Sequence, residues 1–239
     1  NIHSDAIIIN QTDSFSKETW NENGNNFEWY NLEERGVGLS RNNALLRATG
    51  NILLFADDDV RYIDSYEKII QTEFEKRKDA ELILFNVEST NKNRPEYIDQ
   101  KFHKVHFYNY LRYGTFRIAV KKNSIRKHNI SFSLLFGGGS KYSSGEDSLF
   151  LTECLKKNMK IYASEQQIGY VDHRESTWFK NYDEKYFYDK GALFSAISRR
   201  FSMALCLQYC IRHKEVCKEL GLKQAYKSML KGLREYERW

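Results

Sequence analysis

Proline is nearly absent: Pro95 is the only one in 239 residues. That excludes Pro-rich linkers and stiff extended spacers. Cysteine is scarce too. Cys154, Cys206, Cys210 and Cys217 form no disulfide-framework pattern in a chain of this length, and reduced cytosolic thiols are the expectation. Long apolar runs are missing altogether. None approaches the ~18–20 residues that a membrane-spanning helix requires, and no secretory leader is visible. The first residue is Asn1 rather than Met, which sets the expectation of further chain upstream.

What is present suits one large domain, or one domain with an appendage. Hydrophobic residues make up 41% of the chain, enough for a sizeable core, and 16 Tyr and 15 Phe bring the aromatics to 15%. Such richness serves packing and also sites that stack flat or sugar-like groups. Cys206, Cys210, His213 and Cys217 fall at i, i+4, i+7 and i+11, one stripe of a helix. A stripe about 16 Å long cannot close four ligands on one zinc at ~2.0–2.3 Å, so these cysteines are expected to pack. The net charge of +5 is unevenly placed. From Lys185 onward 12 Lys/Arg face 5 Asp/Glu, a net +7, leaving −2 for everything before it. The basic tail reads as a solvated helix surface, or as a contact for anionic lipid or nucleic acid.

Along the chain, SDAIIIN (residues 4–10) reads as a buried strand, and another is expected near residues 27–30. LSRNNALLRAT has the apolar spacing of a short helix, with Gly50 as its stop. A strand over 52–56 follows. Tyr66, Ile69, Ile70 and Phe74 then share one helical face, with Asp64 or Ser65 as N-cap. AELILFNVE is the next buried strand. The middle of the chain is irregular and strand-rich. A helix over 148–158 and a strand at KIYAS come next, and the pattern turns helical after about residue 181. Strands alternating with helices predict an α/β fold, a mainly parallel sheet with helices on both faces, followed by a helical C-terminal segment. The expected division is 1–180 and 181–239.

The stretch GNILLFADDDVRY poses the chemical question, because an apolar strand ends in Asp57, Asp58 and Asp59. Three adjacent carboxylates repel one another, and a low-dielectric neighbourhood raises the cost. A capped turn explains one aspartate. Three at the carboxyl end of a strand point to a divalent metal or a ribose, since hard oxygen ligands suit Mg or Mn and ligands of open α/β sheets bind at that end. RGVGLSRN places small residues and Arg41 at a helix start, a setting that suits phosphate oxygens. SSGED puts Glu146 and Asp147 before an apolar helix, where capping is the plain alternative. VDHREST offers His173, Arg174 and Glu175 after a strand.

The run GVGLSRNNALLRATGNILLFADDDV resembles the G-x-S-x-A-R-N-x-G…A-x-G…F-x-D-x-D pattern of family 2 glycosyltransferases, which have the Rossmann-like GT-A fold. Gly36, Arg41, Asn42, Ala48, Gly50 and the Asp triplet occupy matching places. Gly38 stands where Ser is usual and Ala44 where Gly is. Glu146-Asp147 matches the family's later Glu-Asp motif, and the resemblance covers residues 5–177. Two departures stand out. AIIINQTD looks like the family's second strand, so the first is expected upstream of Asn1, and a chain lacking it is expected to bind donor poorly. NQTD also replaces an acidic D-D-G-S-x-D run.

The resemblance implies an inverting transfer of a sugar from a nucleoside diphosphate, expected to be a UDP-sugar, to a hydroxyl acceptor in polysaccharide or glycoconjugate assembly. It implies Asp59 as a metal ligand, Asp57 or Asp58 near the ribose with Asp57 also a candidate ligand, and His173 as a further metal or pyrophosphate contact. Arg41 and Asn42 fall on the donor side, and Asn10, Gln11 or Asp13 beside the base. Asp147 would be the general base that deprotonates the acceptor, and Glu146 would orient it. The expected cofactor is Mn or Mg. Expected partners are a nucleotide-sugar, a carbohydrate or lipid-linked acceptor and an anionic membrane surface, with no nucleic acid. The expected location is cytoplasmic, at the inner face of the plasma membrane. The competing readings are a metal-dependent sugar-phosphate nucleotidyltransferase and a non-catalytic carbohydrate- or partner-binding module on a degenerate scaffold.

Overall fold

The computed structural model describes residues 2–173 and 181–238; Arg174 and Glu175 lie outside them. The chain forms two compact units, one of Asn1–Glu34, Leu39–Phe132 and Phe150–Arg174, the other of Arg35–Gly38, Ser133–Leu149 and Glu175–Trp239.

The first unit opens with strands β1 (Ala6–Gln11), β2 (Ser16–Glu22) and β3 (Asn25–Leu32) in a three-stranded sheet of order β1-β3-β2. Strand β2 was not legible from periodicity, because SKETWNE is polar and almost wholly exposed. The signal for it was the turn. Asn23 (φ 52°) and Gly24 (φ 84°) join β2 to β3 in the left-handed conformation that an Asn-Gly hairpin adopts. Helix α1 (Val37–Arg47), strands β4 (Ile52–Leu54) and β5 (Val60–Tyr62), helix α2 (Tyr66–Lys76) and strand β6 (Leu82–Ser89) follow. After β6 come β7 (His103–Lys104), β8 (Ile118–Lys121), the short α3 (Lys122–His128), α4 (Glu146–Lys156) and β9 (Ile161–Val171). Residues 37–38 of α1 and 146–149 of α4 are grouped with the second unit.

The main sheet has the order β4-β8-β6-β9-β5, with β7 paired to β9. Its strand directions correct the expectation of a mainly parallel sheet. Only β6–β9 is a parallel pair here, while β4–β8, β6–β8, β5–β9 and β7–β9 are antiparallel. The crossover logic survives in part. β4 and β6, joined through α2, are both antiparallel to β8, so they run the same way with β8 inserted between them. β8 is reached through the irregular stretch 90–117 rather than through a packed helix, and nothing in that connection forces it to be parallel.

Strand β6 is the centre of the core, and its alternation decides which helix covers which face. Leu82 and Leu84 pack with Val120, Ile161, Phe150, Leu151 and Cys154 on the side of α4. Ile83, Phe85 and Val87 pack with Ala119, Ile168, Tyr66, Ile70 and Phe74 on the side of α2. The expected mixed α/β architecture with helices on both faces is present.

The second unit is helical: α5 (Glu184–Ile197), α6 (Ser202–Arg212) and α7 (Leu222–Glu237). Asp183 caps α5 by accepting from the Tyr186 amide. Two glycines let α5 and α7 touch backbone to backbone. A Cβ on Gly191 would overlap the Met229 carbonyl, and one on Gly232 would overlap the Tyr188 carbonyl. Cys206, Cys210 and Cys217 are buried in this unit's core, where Cys210 Sγ lies 3.6 Å from Met229 Sδ. They pack, as expected.

Candidate functional site

The aspartate triplet sits where the chain crosses the end of the main sheet. β4 lies at one edge and β5 at the other, so residues 55–59 connect the two across the carboxyl ends of β6 and β9. The crossing is tied down from below. The buried Phe55 amide donates to the Ile118 carbonyl at 3.2 Å, and the Tyr62 hydroxyl donates to the carbonyls of Phe55 (2.9 Å) and Phe116 (3.3 Å). The Asp172 amide donates to the Asp59 carbonyl at 3.0 Å, and Thr90 donates from its amide to Val171 and from its hydroxyl to the Asp172 carboxylate. Asp59, Thr90, Asp172 and His173 therefore gather at the carboxyl ends of co-directional strands, the usual ligand edge of such a sheet.

The charge that compensates the triplet is Arg41 of α1, whose Nη2 lies 2.9 Å from Asp57 Oδ1. Its guanidinium also lies over the Phe132 ring at 5.4 Å, which holds it in place. Asp58 is exposed. Burial, together with the charges of Asp57 and Asp58, pushes the Asp59 carboxyl up despite an opposing pull from His173. Ionised Asp59 is therefore kept at a cost, which a bound cation would relieve.

Asn42 has both ends of its amide on the Phe132 backbone: Nδ2 donates to the carbonyl (2.9 Å) and Oδ1 accepts from the amide (2.8 Å). That arrangement pins the segment that cushions Arg41. Asn10 donates to Asn31 Oδ1 at 2.8 Å, and Gln11 donates to Ser40 Oγ at 2.5 Å, tying the end of β1 to α1. Asp13 is exposed after β1. His173 takes a positive φ of 38° and places Nε2 2.8 Å from Glu96 Oε1. Glu96 leads on to Arg117, which is fully buried and donates to Phe85 O (2.7 Å), Tyr97 O (2.7 Å) and Asn86 Oδ1 (2.9 Å), with Asp99 at 3.5 Å. Glu96, Asp99 and Arg117 had no local signal, because an arginine in a strand-rich stretch reads as surface.

Among the described residues no group of three or more His, Cys, Asp or Glu side chains is gathered as a metal cage. Mg and Mn do not require one. They are commonly held by one or two carboxylates together with substrate phosphates and waters, and Asp57 and Asp59 are donors of that kind. The hollow of about 260 Å³ lined by Asp59, Arg61, Thr90, Tyr170 and Asp172 lies below the ~300–1,000 Å³ usual for a ligand pocket. It suits part of a ligand rather than a whole nucleotide.

In the second unit the loop 135–142 closes on itself through Gly137 N to Tyr142 O (2.8 Å) and Tyr142 N to Leu135 O (2.9 Å), with Phe136 stacked on Tyr142. Gly137 has a φ of 107°, and a Cβ there would overlap Val37 Cγ1 and come within 2.9 Å of Glu146 Oε2, so the glycine makes room for both side chains. Glu146 and Asp147 occupy the first turn of α4, and Asp147 Oδ1 accepts from the Ser148 amide at 2.6 Å. Lys190 of α5, which sequence reasoning did not single out, lies over Tyr186 (5.4 Å) and Tyr209 (5.6 Å). Burial pushes its ammonium down, while the Asp147 and Asp189 carboxylates pull it up. Asp189 is itself held by Ser143 and by Lys185 at 2.6 Å.

No protein-family model matches the chain, and no curated protein matches it. Solved structures do. A crystal structure of S. aureus TarS 1–349 in complex with UDP-GlcNAc aligns with a TM-score of 0.57 at 15% identity, covering 90% of this chain and 76% of that one. A second crystal structure of S. aureus TarS 1–349 gives 0.55 at 15%, with the same coverage. A longer S. aureus TarS structure gives 0.55 at 15%, covering 89% of this chain and 44% of its own. At this identity the likeness carries the fold, an α/β core followed by a helical C-terminal part.

Proposed function

We propose that this chain is a glycosyltransferase that uses a nucleoside-diphosphate sugar, with UDP as the favoured carrier. The observation that carries the reading is the Asp57–Asp59 crossing, neutralised at one end by Arg41, in a fold shared with a structure that binds UDP-GlcNAc. On this reading Asp59, with Asp57, holds a divalent cation, which supplies charge neutralisation to the departing diphosphate. Asp58 and Asp57 serve the ribose, and Arg41 shares its guanidinium between Asp57 and a phosphate oxygen. His173, oriented by Glu96, provides a further contact on the donor side. Asp13, Gln11 and Asn10 border the base. Asn42 acts through Phe132 rather than on the ligand.

Asp147 takes the acceptor proton. A sugar hydroxyl is a weak nucleophile, and a carboxylate positioned to remove its proton in the transition state assists direct, inverting displacement. Glu146, seated against Gly137, orients the acceptor. A lipid-linked or polymeric carbohydrate fits the role of acceptor.

The test is a panel of nucleotide-sugars with and without Mn, read by thermal shift and then by product. Manganese-dependent stabilisation by UDP-sugars, followed by UDP release, is expected. Pyrophosphate release would replace the reading with nucleotidyl transfer, and the absence of both products and of any thermal shift would leave a non-catalytic module.

A further inference from the structure

We propose that the outer face of α6 is a docking surface for an anionic lipid bilayer. The helix is two-sided. Ser202, Cys206 and Cys210 are buried, whereas Met203 (56% exposed), Leu207 (49%) and Ile211 (57%) recur every four residues one position further round, on the exposed flank, with Phe201 (59%) exposed just before the helix. Three large apolar side chains thus form one stripe about 12 Å long facing water. Scattered apolar residues on a surface are ordinary, but a continuous stripe on one helix is not.

Charge selects the occupant. Arg199 and Arg200 precede the stripe, Arg212 and Lys214 follow it, and no Asp or Glu occurs between Lys190 and Lys214. All four cations are exposed, Arg199 even with Glu237 3.8 Å from its Nε. A second copy of the chain would fit badly. Laying two such stripes together, parallel or antiparallel, sets arginines against arginines or lysines with no acid between them. An anionic headgroup layer complements both ends while the acyl boundary receives the stripe, the arrangement of an interfacial amphipathic helix. Among the described residues no helix is long and apolar enough to cross a bilayer, so α6 lies along the surface. α7 contributes differently. Its exposed Lys223, Lys227, Lys231 and Arg234 form a row with charge and no apolar stripe, which strengthens binding without inserting. The proposal stands independently of the transferase reading.

The experiment is co-sedimentation of the full chain with vesicles of pure phosphatidylcholine or of phosphatidylcholine with phosphatidylglycerol, at low and raised salt, beside analytical ultracentrifugation without lipid. Wild type is expected to bind the anionic vesicles at low salt, to be released by salt, and to sediment as a monomer alone. The Met203→Gln, Leu207→Gln, Ile211→Gln triple variant should lose at least tenfold in partition with an unchanged melting temperature, because those positions face water. Replacing Arg199, Arg200, Arg212 and Lys214 with Gln should weaken binding by roughly fivefold per residue near the surface. Replacing only the α7 row should weaken it without abolishing it. Lipid depth is read separately from a fluorophore attached at a cysteine replacing Gln208, on the exposed side of α6; a blue shift with anionic vesicles alone is expected. Equal binding to both vesicle types, no binding, binding unaffected by the triple variant, or a dimer that this variant dissolves would each overturn the proposal.

Discussion

Asp59 carries the electrostatic cost of the aspartate triplet. Its carboxyl is pushed up from 3.8 by burial and by Asp57 and Asp58, so the folded state holds its proton to a higher pH than the unfolded chain does. Between the two values the native state binds more protons, and stability falls as pH rises through that window. Asp59→Asn removes the penalty. In metal-free buffer the variant should melt higher than wild type at neutral pH, and the two curves should converge as pH falls below 3.8. A variant that melts lower at neutral pH would mean the carboxylate is stabilised rather than strained. Asp147 calls for a different measurement, because capping and catalysis predict different losses. Asp147→Asn keeps shape and hydrogen bonding, so transfer should drop about 10²–10⁴-fold with the melting temperature nearly unchanged; a near-normal rate would reduce Asp147 to a residue of the helix terminus.

Glycine does opposite jobs in different elements. At Gly24 the backbone is left-handed (φ 84°) and a Cβ would meet nothing within 4 Å, so Gly24→Ala pays only for conformation, about 1 kcal/mol by urea denaturation. At Gly191 and Gly232 the space itself is taken by the carbonyls of the facing helix. Either substitution by Ala must push α5 and α7 apart, and should cost about 3 kcal/mol or more. The ordering of these losses, with Gly24→Ala the mildest, is the check on close helix contact. Equal small losses at all three would rule that contact out. The strands carry a related lesson. The apolar run 52–56 reads as one strand, of which β4 keeps Ile52–Leu54, but the antiparallel insertion of Ile118–Lys121 beside it arises from hydrogen bonding across some 65 residues of chain, for which no local pattern exists.

At the scale of the molecule, donor binding and acceptor activation are separable chemistries in the proposed function, and two variants should separate them. A UDP-sugar donor with Mn at about 100 times its Kd adds roughly 2.7 kcal/mol to any protein that binds it, some 2–4 °C per kcal/mol for a chain this size. Wild type and Asp147→Asn should show that shift alike. Asp59→Ala should not. A shift retained in Asp59→Ala would remove it from the metal site, while a shift lost in Asp147→Asn would move that residue to the donor.

The amino-acid sequence by itself determined most of the regular elements, since the periodicity of apolar side chains is local and strong in β1, α2, β6 and α4. It also placed three carboxylates with only Phe55 and Ala56 between them and β4, an order that covalent connectivity preserves whatever the packing. Only tertiary structure decided that Arg41 pairs with Asp57, that Asn42 clasps the Phe132 backbone, and that Glu96 meets His173. It also decided that Arg117 is wholly buried, that Lys190 sits among tyrosines and acids, and that α6 turns Met203, Leu207 and Ile211 outward. Each of these depends on which distant segment arrives within a few ångströms. Electrostatics and burial act through space, so a residue's neighbours along the chain cannot reveal its partners across it.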